Sequence, residues 1–570
     1  MLIGIAKRMS QTKAMHGAMM SHMMSWIIAR RTRIIVLLLV SMVTLWLLTI
    51  AEMCITKFPP DSFYFATQLP IYYWAGLVLG CSALWLLVSS SSKGRHSAIL
   101  DICFIIILAM YLFGIPSFVY ANPRFMDVYG VIDRIIQTIE VGHIIPYGGW
   151  DREFPLQAIF PAQISLILGT SVFQLARFFP LIHVLLVSFL IYAISRKMLS
   201  QYYILAPALY LSISWMPAHH LSPQSYGLML TAVFLFLLIA RFMDKPATTK
   251  KLLLIAIMAT TVLSHAPTPL INLVPLLLMV VLSCGSTFWQ RKVISTKQVA
   301  MVTTVYAVMY FGYLHFNASD ILAVAVSQIQ TSLNNLHGGN ILVTADWTVT
   351  EPMRCHVFIT WLRLLSVVSV CLVGLVSILL LFKKKYDRFA FLISCLFLGY
   401  ISLSVAFFAT QNITFVERGF VFALVPFSIL IPLALSAGIR SKLSKVFGLI
   451  CGLLLIFHLF LAPLTARGVD PYMVPSKSEI AGREFVVRNR ELKRQIDFRV
   501  YGAPVVFQTI WYNYLSLKHQ MGEEYANQFE VPGLDKVYNS GQFRVFLPRD
   551  KNVFQKLLEV WHYTGFREPR

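Results

Sequence analysis

Ala121–Tyr147 reads A-N-P-R-F-M-D-V-Y-G-V-I-D-R-I-I-Q-T-I-E-V-G-H-I-I-P-Y. Val128, Val131, Ile132, Ile135, Ile136 and Ile139 recur at helical spacing, and Asp133, Gln137 and Glu140 fall on the opposite face. The stretch has the pattern of an amphipathic helix lying in the plane of a membrane. Asp127 stands four residues before Val131, on or beside the apolar stripe, whereas Asp133 lies on the polar face. Asp127 is either a working acid held at the membrane surface or a helix-capping acid. A further short apolar segment, 156–176, belongs at the same interface.

The rest of the chain is built from apolar runs. Of its 570 residues 57% are apolar and 13% charged, against about 25% charged in soluble domains. Runs near 20 residues suffice to cross about 30 Å of hydrocarbon. Thirteen are read, at about 34–53, 70–90, 99–119, 179–195, 201–217, 224–243, 251–265, 268–284, 298–315, 356–382, 389–408, 419–438 and 446–463. The expected fold is an all-α polytopic membrane protein. A basic segment, 1–33, precedes the transmembrane domain 34–463, which carries long loops at 120–178 and 316–355. The more polar tail, 464–570, is expected to form a small α/β domain. Its K-V-Y-N-S-G-Q-F-R-V-F run, Lys536–Phe546, places Asn539-Ser540-Gly541 between two alternating strands.

The net charge of +22 is topological in origin. Short loops at 91–98, 196–200, 241–251, 285–297, 383–388 and 439–445 hold 18 Lys and Arg, and the opposite loops hold two, Lys57 and Arg418. That asymmetry places the N-terminus in the cytoplasm and, with thirteen spans, the tail outside the cell membrane. It argues against a nucleic-acid partner. Segment 1–33 leads into an uncleaved anchor, since no small-residue cleavage site follows the first span. The eight cysteines lie mostly within spans without paired spacing, so neither a disulfide framework nor a zinc site is indicated.

Two tight turns on the predicted outer side are polar: W-M-P-A-H-H-L-S-P-Q-S-Y-G and L-S-H-A-P-T-P-L. They put His219, His220, Ser222, Gln224 and His265 at one depth. Such groups bind anions, or they are polar because they face water. No acidic ligand lies near them in sequence, so no cofactor is indicated and metal dependence stays open. Arg418 opens the twelfth span, where its fork suits a phosphate or snorkels to the interface. Arg363 lies about two turns into the tenth span, where a cation needs a cavity or a partner such as Glu351.

These motifs resemble the GT-C glycosyltransferases, polytopic enzymes that use polyprenyl-linked sugar donors. The first outer loop of that superfamily is similar to F-M-D-V-Y-G-V-I-D with G-H-I-I-P. The turns H-H-L-S-P-Q-S and S-H-A-P-T-P-L, and E-R-G-F-V-F-A-L-V-P, look like those of archaeal members. The resemblance covers about residues 99–463. It implies Asp127 as the acid acting on the acceptor. It implies His219, His220, His265 and Arg418 on the donor phosphate, with a lipid, glycan or protein as acceptor. T-V-T-E, Thr348–Glu351, and the outer tail resemble the oligosaccharyltransferase catalytic subunit. The tail motif W-W-D-Y-G of that subunit is absent, the nearest run being W-Y-N-Y at Trp511–Tyr514. Its acidic loop follows the first span, which here offers Asp61 as a rival acid. A transporter or flippase of lipid-linked glycans is the other reading, and it calls for related halves with broken spans.

Overall fold

The computed structural model describes residues 2–55, 68–89, 95–120, 123, 127–143, 154–214, 220–243, 248–284, 295–321 with scattered positions to 334, 354–384, 387–409, 413–438, 442–467, 534–539 and 544–548. The helices are α1 (Leu2–Ile55), α2 (Ile71–Ser89), α3 (Arg95–Ala109), α4 (Ile115–Val119), α5 (Asp127–Val141), α6 (Leu156–Leu168), α7 (Val172–Met198), α8 (Leu205–Ile213), α9 (Pro223–Met243), α10 (Thr248–Ser264), α11 (Pro267–Cys284), α12 (Thr296–Asn317), α13 (Arg354–Lys384), α14 (Arg388–Ala409), α15 (Ile413–Gly438) and α16 (Lys442–Arg467). Strands β1 (Leu534–Asn539) and β2 (Arg544–Pro548) follow.

Among the described residues, 11 helices are long and apolar enough to cross a bilayer, so the chain is a multi-pass membrane protein. Two of the thirteen expected segments form helices shorter than the 18 residues of such a span. Segment 201–217 forms only α8, nine residues, which rises about 14 Å, half the hydrocarbon thickness. Pro217 is a sequence signal against a helix continuing past Met216. Segment 251–265 forms α10, 17 residues, rising about 26 Å. Exposed Leu252, Leu253 and Ile255 make its flank lipid-facing.

α8 is enclosed by α7, α15, α16 and α3, and Ala206–Ile213 are all buried. The non-helical backbone at Ser214 and at His220–Ser222 is likewise buried in protein, the setting in which irregular backbone is tolerated at membrane depth. The third span contains one wide turn, Met110–Gly114. Trp46 Nε1 donates to the Met110 carbonyl at 3.2 Å and Tyr111 Oη to the Met42 carbonyl at 2.7 Å, tying that turn to α1. Arg177 on α7 donates to the Phe118 carbonyl at 3.1 Å, and Ser117 Oγ donates to the Arg177 carbonyl at 2.8 Å. These bonds fasten the two ends of loop 120–178 together.

Among the described residues, α15 carries the most enclosed span. α14 packs along it, and α11 packs along α14. At the centre Asn272 of α11 is fully buried. Its Nδ2 donates to Thr231 Oγ1 of α9 at 2.9 Å and to Tyr306 Oη of α12 at 3.3 Å, and its Oδ1 accepts from Tyr400 Oη of α14 at 2.9 Å and from Thr231 Oγ1 at 3.3 Å. Tyr306 also bonds Thr261 of α10. One amide therefore joins four helices, and Tyr306 extends the network to a fifth.

In the tail, β1 and β2 pair antiparallel, Asn539 opposite Arg544 and Leu534 opposite Pro548. The hairpin reading is correct in register to one residue, since Asn539 is paired and lies outside the turn. The remainder of the expected α/β domain lies outside the described residues.

Candidate functional site

α9 and α11 start at the same edge of the bundle. Gly227 packs so closely on Thr268 that a Cβ there would overlap Oγ1. One turn on, Thr231 bonds Asn272. Both pairs share a sequence offset of 41, so the helices run parallel and in register. The same offset sets Gln224 level with His265. Both helices are opened by proline in the first turn, where the missing N–H costs nothing. Ser222 caps α9, its Oγ accepting from Ser225 N at 3.3 Å and meeting Ser225 Oγ at 3.1 Å.

His265 occupies the turn between α10 and α11 and is 7% exposed. Its Nδ1 lies 2.8 Å from Thr268 Oγ1. Burial first, and then the charge of Arg418, hold its pKa well below the usual histidine value. Arg418 is therefore within electrostatic reach of the ring. It is the first residue of the apolar span Arg418–Ala437 and is half-buried. Gly419 beside it lets α15 press on Ser404 and the Tyr400 carbonyl of α14, and Tyr400 reaches Asn272. The chain of contacts from α9 through α11 and α14 to α15 thus fixes Arg418 and His265 at one edge. His220 and Ser222 are buried in the turn ahead of α9, and Gln224 is half-buried. The N-terminal ends of α9 and α11 add positive dipole potential.

The reading of α5 is corrected in its partner. Val128, Val131, Ile132 and Ile135 are buried in a protein cluster with Ala162 of α6, Val172, Ala176 and Phe179 of α7, and Leu221 and Tyr226 around the start of α9. The stripe faces protein, because helical periodicity demands a buried face without specifying what covers it. The bilayer-facing member of the pair is α6, whose Leu166, Ile167 and Leu168 are 64%, 82% and 62% exposed. Asp127 is the first residue of α5, one position before Val128 of that cluster. Asp133 is half-buried rather than wet.

Other expected residues are not gathered here. Arg363 is half-buried near the start of the span Trp361–Phe382 on α13. His219, Glu351 and the rival acid Asp61 lie outside the described residues, and so does Thr348. Sequence reasoning passed over Asp101, a buried acid within the span Ala98–Val119. Tyr192 donates to it at 2.9 Å and accepts from Arg196 at 3.0 Å. The signal was available: an acid inside an apolar run needs a partner. Its partners place it at the opposite, basic edge, in a structural ion-pair chain. Thr268 and Asn272 were also missed, having no sequence signature beyond being polar in an apolar run. Among the described residues, no group of three or more His, Cys, Asp or Glu is placed to hold a metal ion.

No family model matches the chain, and no curated protein matches it. Among solved structures it is similar to the crystal structure of the Archaeoglobus fulgidus oligosaccharyltransferase in the apo form. The match has a TM-score of 0.47 and 14% sequence identity, over 72% of this chain and 60% of that one. This chain therefore spans less than two thirds of that enzyme.

Proposed function

We propose that the chain is a membrane glycosyltransferase that moves a sugar from a polyprenyl-phosphate-linked donor to an acceptor at the outer face of the cell membrane. The observation that carries this reading is the placing of His265 and Arg418 within electrostatic reach of each other at the edge where α9 and α11 begin in register. A lipid-borne phosphate would present its charge at such an edge, with its chain in the bilayer. Guanidinium and imidazole groups are suited to the charge that collects on a departing phosphate. Asp127 serves as general base, taking the proton of the acceptor hydroxyl. That oxygen attacks the anomeric carbon, the bond from that carbon to the phosphate oxygen breaks, and the electron pair leaves with the phosphate. Direct displacement inverts the anomeric centre. His219 and His220 complete the phosphate contacts, and Ser222 and Gln224 bind the sugar or phosphate edge. Arg363 and Glu351 remain further substrate-binding candidates.

Binding of a short-chain polyprenyl phosphate to the purified chain tests the reading. Losing a charge-assisted contact costs about 1.5–3 kcal/mol, so Arg418→Ala weakens affinity about tenfold or more at 1.4 kcal/mol per decade. Arg418→Lys recovers part, since the two-pronged fork is lost. Unchanged affinity in Arg418→Ala and in a His219/His220 double alanine variant sinks the proposal.

Within this class the acceptor is a protein if the chain acts as an oligosaccharyltransferase, and a lipid or glycan otherwise. One observation favours a transport reading: α8 is a half-length helix followed by buried non-helical backbone, a device of transporters. Lipid-linked glycan that changes leaflets in reconstituted vesicles without release of polyprenyl phosphate supports transport. Release of polyprenyl phosphate together with a glycosylated acceptor supports the transferase.

A further inference from the structure

We propose that Thr268 is a positioning residue, fixing His265 as a neutral imidazole that offers its Nε2–H to the donor phosphate. The inference rests on the transferase reading for the ligand, and on hydrogen-bond accounting for the geometry. Thr268 is fully buried in the first turn of α11. Three other buried threonines in the bundle give their hydroxyl proton to the carbonyl one turn back: Thr49 to Leu45 at 2.8 Å, Thr261 to Ile257 at 2.7 Å and Thr303 to Val299 at 2.9 Å. Among the described residues, the Thr268 hydroxyl has instead the Nδ1 of His265 at 2.8 Å.

Two proton placements satisfy that distance. If Nδ1 carried the proton, the Thr268 O–H would lose the one partner it has among the described residues, a cost of about 1–3 kcal/mol. If Thr268 donates, both atoms are satisfied, Nδ1 is an acceptor, and the neutral ring carries its proton on Nε2. The charge of Arg418 beside the ring works in the same direction, favouring the neutral form. Gly227 locks the arrangement, because α9 lies against Thr268 where any side chain would overlap the hydroxyl. Arg418 then supplies the charge, and His265 supplies one directed donor that does not depend on protonation of the ring. Thr268 itself touches no substrate in this account.

The test is a pair of measurements on the full chain in detergent. Histidine ¹⁵N spectra of the ligand-free protein, with His265 assigned by its loss in His265→Asn, report which nitrogen carries the proton. The expected wild-type result is Nε2–H with bare Nδ1. Thr268→Val keeps the shape and removes the hydroxyl. It should release that preference and weaken short-chain polyprenyl phosphate binding about tenfold, the worth of one directed hydrogen bond. Thr268→Ser should restore both, which a purely structural role would not require. A protonated Nδ1 in the wild type, or an unchanged tautomer in Thr268→Val, overturns the proposal whatever the ligand. The expected tautomer in a wild type that binds no polyprenyl phosphate overturns the donor reading and leaves the Thr268–His265 pair standing.

Discussion

Replacing Asn272 by leucine is the sharpest test of how the bundle is held. The amide makes hydrogen bonds to Thr231, Tyr306 and Tyr400. Such bonds between helices in a bilayer average about 0.6 kcal/mol each, so three are worth about 2 kcal/mol. The larger effect is on the partners left behind. Thr231 can turn to the carbonyl one turn back, and Tyr306 keeps Thr261. Tyr400 is stranded, fully buried on α14, at about 1–3 kcal/mol. Some of the total is offset by the better burial of leucine, leaving about 2–4 kcal/mol of destabilisation. Unfolding free energy by detergent titration in mixed micelles measures it. The decisive variant is the double one. Asn272→Leu with Tyr400→Phe removes both ends of the broken bond and should recover about 1 kcal/mol or more over Asn272→Leu alone. A double variant less stable than the single one would refute the reasoning, because Tyr400 would then contribute through packing and not through its hydroxyl.

Asp127→Asn should lower turnover on the order of 10²–10⁴-fold with expression intact, while Asp133→Asn stays within a few-fold of wild type; sensitivity at Asp133 or Asp61 instead would move the acid. Because folding depresses the His265 pKa, the unfolded chain binds a proton that the folded chain refuses as pH falls below about 6.5. Stability is full above that value and declines toward acid, and thermal midpoints from pH 8 to 5 should fall less in His265→Asn than in wild type. Ser540→Cys, in the tail hairpin, should react with an impermeant maleimide on intact cells above the native-cysteine background; labelling only after lysis would reverse the orientation read from the Lys and Arg loops.

What the sequence discloses and what it conceals follow from the same physics. Eleven spans are legible because length and apolarity are the requirement for crossing a bilayer, and both are local properties. α8 is not, since its apolar run, 201–217, is as long as a span, and its enclosure by four helices is a tertiary fact. Pro217 was the local clue. The amphipathic stripe of α5 is legible as a buried face, but Leu221 and Tyr226 as its cover are not. The turns at His220 and His265 were read as level from topology, and the 41-residue offset between α9 and α11 gives that depth a physical basis. Asn272 and Asp101 owe their roles to residues 34 to 128 positions distant, beyond any periodicity argument.

α6 ties chemistry to mechanics. It packs on α5, the helix that begins at Asp127, while its far end, Leu166–Leu168, stands in the lipid beside the left-handed Gly169. Leaflet thickness and lateral pressure should act on that exposed end. α5 packs on α6 and also on α7 and the start of α9, so it is an element through which such a load would pass into the bundle.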